Sequence, residues 1–140
     1  MKILLAVDGS DYTRKMLDYV CSNRQLFDPS HTFVLFNAQA PLPPHARSAI
    51  GSAKVNEYHA EEAKKVLEPA LAMLAGQGLQ AQSQWKVGPV GDTIAAFAKE
   101  GKYDMIIMGS HGHGSLARLV MGSVSTQVLA QCGVPVLLIR

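Results

Sequence analysis

Hydrophobic positions along this 140-residue chain follow two alternating patterns. The first is a short apolar run without interruption. Ile3-Leu4-Leu5-Ala6-Val7 is of this kind, as are the apolar parts of the strands read over Thr32-Phe33-Val34-Leu35-Phe36, Asp104-Met105-Ile106-Ile107-Met108 and residues 134–139. Such runs mark strands covered on both faces. The second pattern is a helical period. Thr13, Met16, Leu17, Val20 and Cys21 recur at that spacing behind a cap at Ser10 or Asp11. Ala63, Val66, Leu67, Ala70, Leu71 and Leu74 form one stripe of a longer second helix, stopped by Gly76-Gln77-Gly78. A third helix runs through Ile94, Phe97 and Ala98 after the turn Gly88-Pro89-Val90-Gly91. A fourth covers residues 123–132 and is closed by Gly133 ahead of Pro135. Residues 79–87 alternate loosely and predict a strand with one more exposed face.

Two stretches disturb this rhythm. Residues 40–52 carry Pro41, Pro43, Pro44 and Gly51 and read as a loop, long for a compact domain. Pro69 falls inside the second helical stripe. It has no N–H to return to the Lys65 carbonyl, so a kink or a break is expected there. The whole order is β-α-β-α-β-α-β-α-β, one domain over residues 1–140. It predicts an open, doubly wound α/β fold: a five-stranded parallel sheet of order 3-2-1-4-5 with helices on both faces. Ligands of such sheets sit beyond the carboxyl ends of the strands. The loops after strands one, two and four are therefore the ones to inspect.

Composition narrows the classes. Hydrophobic residues make up 48% and charged residues 17%, enough apolar material for a core and too little charge for disorder. The net charge of +2 is scattered, with no basic stripe to hold nucleic acid. No apolar run approaches the roughly 18 residues of a membrane helix. Asp8 ends the apolar start too early for a signal peptide, and a cytoplasmic protein is expected. Cys21 and Cys132 are too few for a disulfide framework or a zinc site, and both fall in apolar helical patterns. Two inert thiols in a reducing compartment are expected.

The chemistry concentrates after strand four, in Gly109-Ser110-His111-Gly112-His113-Gly114-Ser115. A buried strand that enters a glycine-rich loop and then a helix is a phosphate-cradle layout. Glycines let backbone N–H groups approach an anion, and the helix beginning near Gly122-Ser123 adds the positive end of its dipole. Ser123 and Ser125 add hydroxyls. A surface loop whose glycines serve only turns is the plain alternative. Gly112-His113-Gly114-Ser115-Leu116-Ala117 also fits a degenerate dinucleotide fingerprint, but too few residues follow Ala117 for the rest of that fold. The P-loop lysine is absent, since no lysine follows Lys102. His111 and His113 lack a third ligand nearby for zinc and read as turn residues or a single phosphate contact. Asp8 reads as an acceptor for ribose hydroxyls or an adenine amino group, or as a helix N-cap. Trp85 reads as sheet-face packing and Lys64-Lys65 as a solvated helix face.

The spacing Gly109, Gly112, Gly122-Ser123 is G-x2-G-x9-G-[ST]. Together with Ala6-Val7-Asp8-Gly9-Ser10 at the first strand end and the run from Asp104 to Gly112, it resembles the universal stress protein family, in its ATP-binding branch. The resemblance extends in element order from Lys2 to Ile139. It implies a cytoplasmic ATP-binding regulatory or stress-response protein. Val7 and Asp8 would meet the nucleotide, Asp8 on the ribose and adenine side. Ala38 would meet adenine through its backbone. Met108 and Gly109 would flank the nucleoside, and Gly112, Gly122, Ser123, Val124 and Ser125 would hold the phosphates. Relatives that bind ATP often carry proline where this chain has Ala6.

No general base or metal-ligating side chain stands out, so binding rather than fast catalysis is expected, with Mg2+ held mainly by the phosphates. A slow ATPase, an adenylating enzyme and a protein-interaction module without nucleotide are the alternatives. Strand five is apolar and falls at a sheet edge. Val136, Leu137, Leu138 and Ile139 keep their N–H groups free to bond, which predicts a homodimer through that edge, as the family resemblance also implies.

Overall fold

The computed structural model describes residues 1–113 and 121–140. Gly114, Ser115 and Ala117, singled out above, lie outside the described residues. The elements run β1 (Lys2–Ala6), α1 (Asp11–Ser22), β2 (Thr32–Gln39), α2 (Pro44–Ile50), α3 (Ser52–Gly76), β3 (Ala81–Val87), α4 (Val90–Glu100), β4 (Met105–Gly109), α5 (Ser123–Gln131) and β5 (Val136–Ile139). Every neighbouring pair of strands is parallel, and the order is β3-β2-β1-β4-β5. The fold class and strand order match the sequence expectation.

The unbroken apolar run of β1 has a direct cause. Successive side chains of a strand point to opposite faces. Ile3, Leu5 and Val7 enter one core with Met16, Leu17 and Val20 of α1 and Ala63, Leu67, Ala70 and Leu74 of α3. Leu4 and Ala6 enter the other with Ile94 and Ala98 of α4 and Val128 of α5. Phe36 of β2 stacks on Phe97 in this second core, with ring centroids 4.1 Å apart. The edge strand β3 is mostly exposed, and only Ala81 and Trp85 turn inward, against the first core. Lys64 and Lys65 lie on the exposed face of α3, where they pair with Glu68 and Glu62.

Two expectations are corrected. Residues 40–52 are not all loop, because α2 occupies Pro44–Ile50. Pro44 opens this helix, where its missing N–H costs nothing and its fixed φ favours the first turn. No residue of α2 is buried, so no apolar stripe announced it. Nor does Pro69 break the second long helix: α3 starts at Ser52 and runs 25 residues through it. Pro69 is exposed, and the Lys65 carbonyl deprived of its donor lies on the water-facing side. Ala63 and Leu67 before it, and Ala70 and Leu74 after it, hold both halves against the sheet.

Both cysteines are free and half-buried. Burial pushes the Cys21 thiol above its ordinary value, with the Asp18 charge adding to the effect and Arg24 opposing it, which suits an unreactive group. Among the described residues no helix is long and apolar enough to cross a membrane.

Candidate functional site

The strand order reverses at β1, which has β2 on one side and β4 on the other. The chain leaves the ends of β1 and β4 in different directions, and a crevice opens between them. Past β1, the Val7 N–H still donates to the Phe36 carbonyl at 3.0 Å. The chain then turns at Asp8 and at Gly9, whose φ of +78° lies in the left-handed region. Asp8 Oδ1 accepts from the Ser10 N–H at 2.9 Å and from the Thr13 hydroxyl at 2.8 Å. The α1 cap is Ser10, whose Oγ accepts from the Thr13 N–H at 3.3 Å. Asp8 is therefore not the N-cap. It braces the turn through Oδ1, and Oδ2 faces the loop after β4. A Cβ built on Gly112 would lie 2.5 Å from that oxygen, so only glycine permits this approach.

The Ser110 carbonyl clasps the two ends of that loop. It accepts from the Gly122 N–H at 2.7 Å and from the Ser125 hydroxyl at 2.9 Å. The Ser125 hydroxyl, buried at the clasp, thus serves the loop. What Ser123, Val124 and Ser125 turn toward the cleft is the start of α5. The first helical bond there is from the Thr126 N–H to the Gly122 carbonyl, at 3.2 Å. The three N–H groups before it have no acceptor within the helix, and they carry the positive end of its dipole. A Cβ on Gly122 would meet the Ser110 oxygen at 3.2 Å and the His111 Cα at 3.3 Å.

These segments enclose a cleft of about 420 Å³. Val7, Asp8, Ala38, Met108, Gly109, Gly112, Gly122, Ser123, Val124 and Ser125 all line it. Its apolar lining residues are Ala6, Val7, Ala38, Val90, Ile94, Met108 and Val124, and Asp8, the two histidines, Ser123 and Ser125 are among its polar ones. Val90, read from sequence as turn, and Ile94, read as helix, both fall in the first turns of α4, and neither was legible as cleft lining. Thr13, His111 and His113 also line the cleft. The His113 Nε2–H donates to the Asp8 carbonyl at 2.8 Å across 105 positions, tying the loop to the end of β1. His111 Nδ1 lies 2.9 Å from Ser110 Oγ, and its ring packs on Tyr12 with centroids 5.0 Å apart. Among the described residues no group of three or more His, Cys, Asp or Glu side chains could hold a metal ion.

The model of the universal stress protein family matches residues 1–140. The chain belongs to the universal stress protein family. A universal stress protein of Synechocystis sp. is 30% identical over 140 residues, covering 99% of this chain and 42% of that relative. The chain thus spans less than half the length of that relative. A universal stress protein of Bacillus subtilis is 29% identical over 147 residues, covering 99% of this chain and 98% of its own. Among solved structures, protein MJ0577 of Methanocaldococcus jannaschii superposes with a TM-score of 0.82 at 26% identity, over 99% of this chain and 94% of that one. The family member from Archaeoglobus fulgidus in complex with dAMP gives 0.72 at 24%, over 100% and 98% of the two chains. The one from Arabidopsis thaliana with AMP bound gives 0.68 at 17%, over 99% and 90%.

Proposed function

We propose that this universal stress protein binds ATP in the cleft between the ends of β1 and β4 and acts as a nucleotide-dependent regulatory or stress-response factor in the cytoplasm. The observation that carries the reading is the meeting of an apolar slot with a phosphate cradle. Ala38, Val90, Ile94 and Met108 offer flat apolar contact to a base. The close-packed Gly112 and Gly122 and the outward N–H groups of α5 suit a chain of phosphates. Asp8 stands between the two, where ribose would lie. The family members that bind dAMP and AMP support an adenine nucleotide. With Asp8 Oδ1 already accepting two hydrogen bonds, Mg2+ would be held mainly by the phosphates and water. The protein works as a homodimer, paired through β5.

Two measurements check this reading. In calorimetric titrations ATP binds better than GTP, and Asp8→Ala weakens ATP by about 1–3 kcal/mol, the range for losing one buried polar partner. Asp8→Asn, which keeps an acceptor for Ser10 and Thr13, loses less. Equal binding of both nucleotides contradicts the preference for adenine, and wild-type affinity in Asp8→Ala removes Asp8 from the site. In a phosphate-release assay with Mg2+, turnover stays far below the median enzyme rate of roughly 10 per second. Asp8 Oδ1 is already engaged by Ser10 and Thr13, and the His113 ring is anchored on the Asp8 carbonyl, so both groups serve the turn and the loop. Brisk, saturable hydrolysis would contradict a binding role.

A further inference from the structure

Behind the cleft, on the opposite face of the sheet, four polar groups form a chain that the nucleotide reading leaves unused. His59 is 3% exposed and heads the buried stripe of α3 that continues through Ala63 and Leu67. Its Nδ1 lies 2.7 Å from Gln39 Oε1. The Gln39 amide nitrogen donates to the His59 carbonyl at 2.8 Å and to Asn37 Oδ1 at 3.0 Å. The Asn37 amide nitrogen donates to the Val7 carbonyl at 2.9 Å. Donors and acceptors fix the assignments throughout. Since Gln39 spends its nitrogen on two acceptors, its oxygen faces His59, and Nδ1 must carry the proton. His59 Nε2, also buried, has no hydrogen-bond partner among the described residues. The imidazole therefore enters this network through Nδ1 alone.

The network grips the two strand ends that form the proposed nucleoside wall. The Phe36 carbonyl faces β1, where it accepts from the Val7 N–H. Backbone groups two residues apart on a strand point the same way, so Ala38 turns its N–H and carbonyl toward the end of β1, at the cleft. Its neighbours Asn37 and Gln39 place their side chains on the other face. There Asn37 holds Val7, the residue before Asp8, and Gln39 ties the end of β2 to α3. We propose that His59, through Gln39 and Asn37, is a positioning residue for the nucleoside half of the cleft: it sets the backbone of Val7, Asp8 and Ala38 without touching the ligand. The proposal rests on the nucleotide reading for its consequence in binding, but not for the positioning itself.

Hydrogen exchange of the ligand-free protein tests the positioning. Two strand-end amides report it: Val7, bonded to Phe36, and Gly88, bonded to the Gln39 carbonyl at 2.8 Å. In His59→Leu both exchange about 10-fold faster, the size expected for losing one buried hydrogen bond. The Ile106 and Ser110 amides, bonded toward β5, do not change. Adenosine binding weakens by about 10-fold, and the ratio of ATP to adenosine affinity stays at its wild-type value, because the phosphate half is untouched. His59→Asn, whose amide reaches the Nδ1 position, restores exchange and affinity together. Gln39→Met, which removes the central amide at similar volume, reproduces the leucine phenotype and stands in for it should that variant not fold. Wild-type exchange at Val7 and Gly88 in a folded leucine or methionine variant overturns the proposal. So does an asparagine variant no better than leucine, which would place the effect on Nε2 or on packing. If the wild-type protein binds neither adenosine nor ATP, the nucleotide reading fails, and the exchange rates still decide the positioning.

Discussion

Gly122→Val abolishes ATP binding and leaves the fold intact. The backbone at this position, φ −77° and ψ 170°, is extended and open to any residue. The requirement for glycine is one of space. A Cβ already stands 3.2 Å from the Ser110 oxygen and 3.3 Å from the His111 Cα, both backbone atoms that cannot swing aside. The two γ-methyls of valine add bulk at the point where an anion would approach the first N–H groups of α5. Relief requires the Ser110 clasp to open, with its bonds from Gly122 and Ser125. The two cores are expected to keep their packing, so circular dichroism stays close to wild type, while opening the clasp at the buried Ser125 lowers the melting temperature modestly. Gly122→Ala, with the Cβ alone, retains weakened binding. Calorimetric titration with ATP reads both variants, and unchanged affinity in folded Gly122→Val would take this loop out of the site.

Leu137→Lys turns a dimer into a monomer. β5 has β4 on one side and no strand on the other among the described residues. Its four residues are only half-buried. Val136 and Leu138 pack at the margin of the second core, and Leu137 and Ile139 at the margin of the first. A free apolar edge of this kind invites pairing. A second copy, antiparallel across a two-fold axis, covers both margins and satisfies the edge. A lysine at 137 places a charge at that seam, whereas in the isolated chain its long stem lets the ammonium reach water. Sedimentation equilibrium at micromolar concentration separates the outcomes. A wild-type mass near the 15.0 kDa of one chain contradicts the dimer. A dimer that survives Leu137→Lys lies at another surface.

Much of the fold could be read from apolar spacing, because a strand buried on both faces leaves an unbroken run, as Ile3 to Ala6 do. The elements that escaped were those with no buried stripe. α2 buries nothing, and its prolines read as loop although Pro44 suits a helix start. The first turns of α3 are mostly exposed, so its stripe became visible only near Ala63. At Pro69 the burial of residues on either side outweighed one missing hydrogen bond. At the cleft, glycine spacing marked the loop because backbone proximity forbids a Cβ. Contacts between distant positions left no such mark. The bond from His113 to the Asp8 carbonyl, the Ser125 clasp on Ser110 and the chain from His59 to Val7 join segments that only the folded sheet brings together.

The most direct test of the central claim is an amide chemical-shift titration of the nucleotide-free protein with ATP and Mg2+. Saturable shifts are expected at Asp8 and Ala38, at Met108, Gly109 and Gly112, and at Gly122, Ser123, Val124 and Ser125. With adenosine alone, the shifts are expected at the first four positions and not at Gly112 or along the start of α5. An open groove of about 490 Å³ at the other end of the sheet, lined by Lys99, Lys102, Tyr103 and Pro135, serves as the internal control and stays unshifted. Shifts confined to that groove, or no saturable shift at millimolar ATP, would contradict the account.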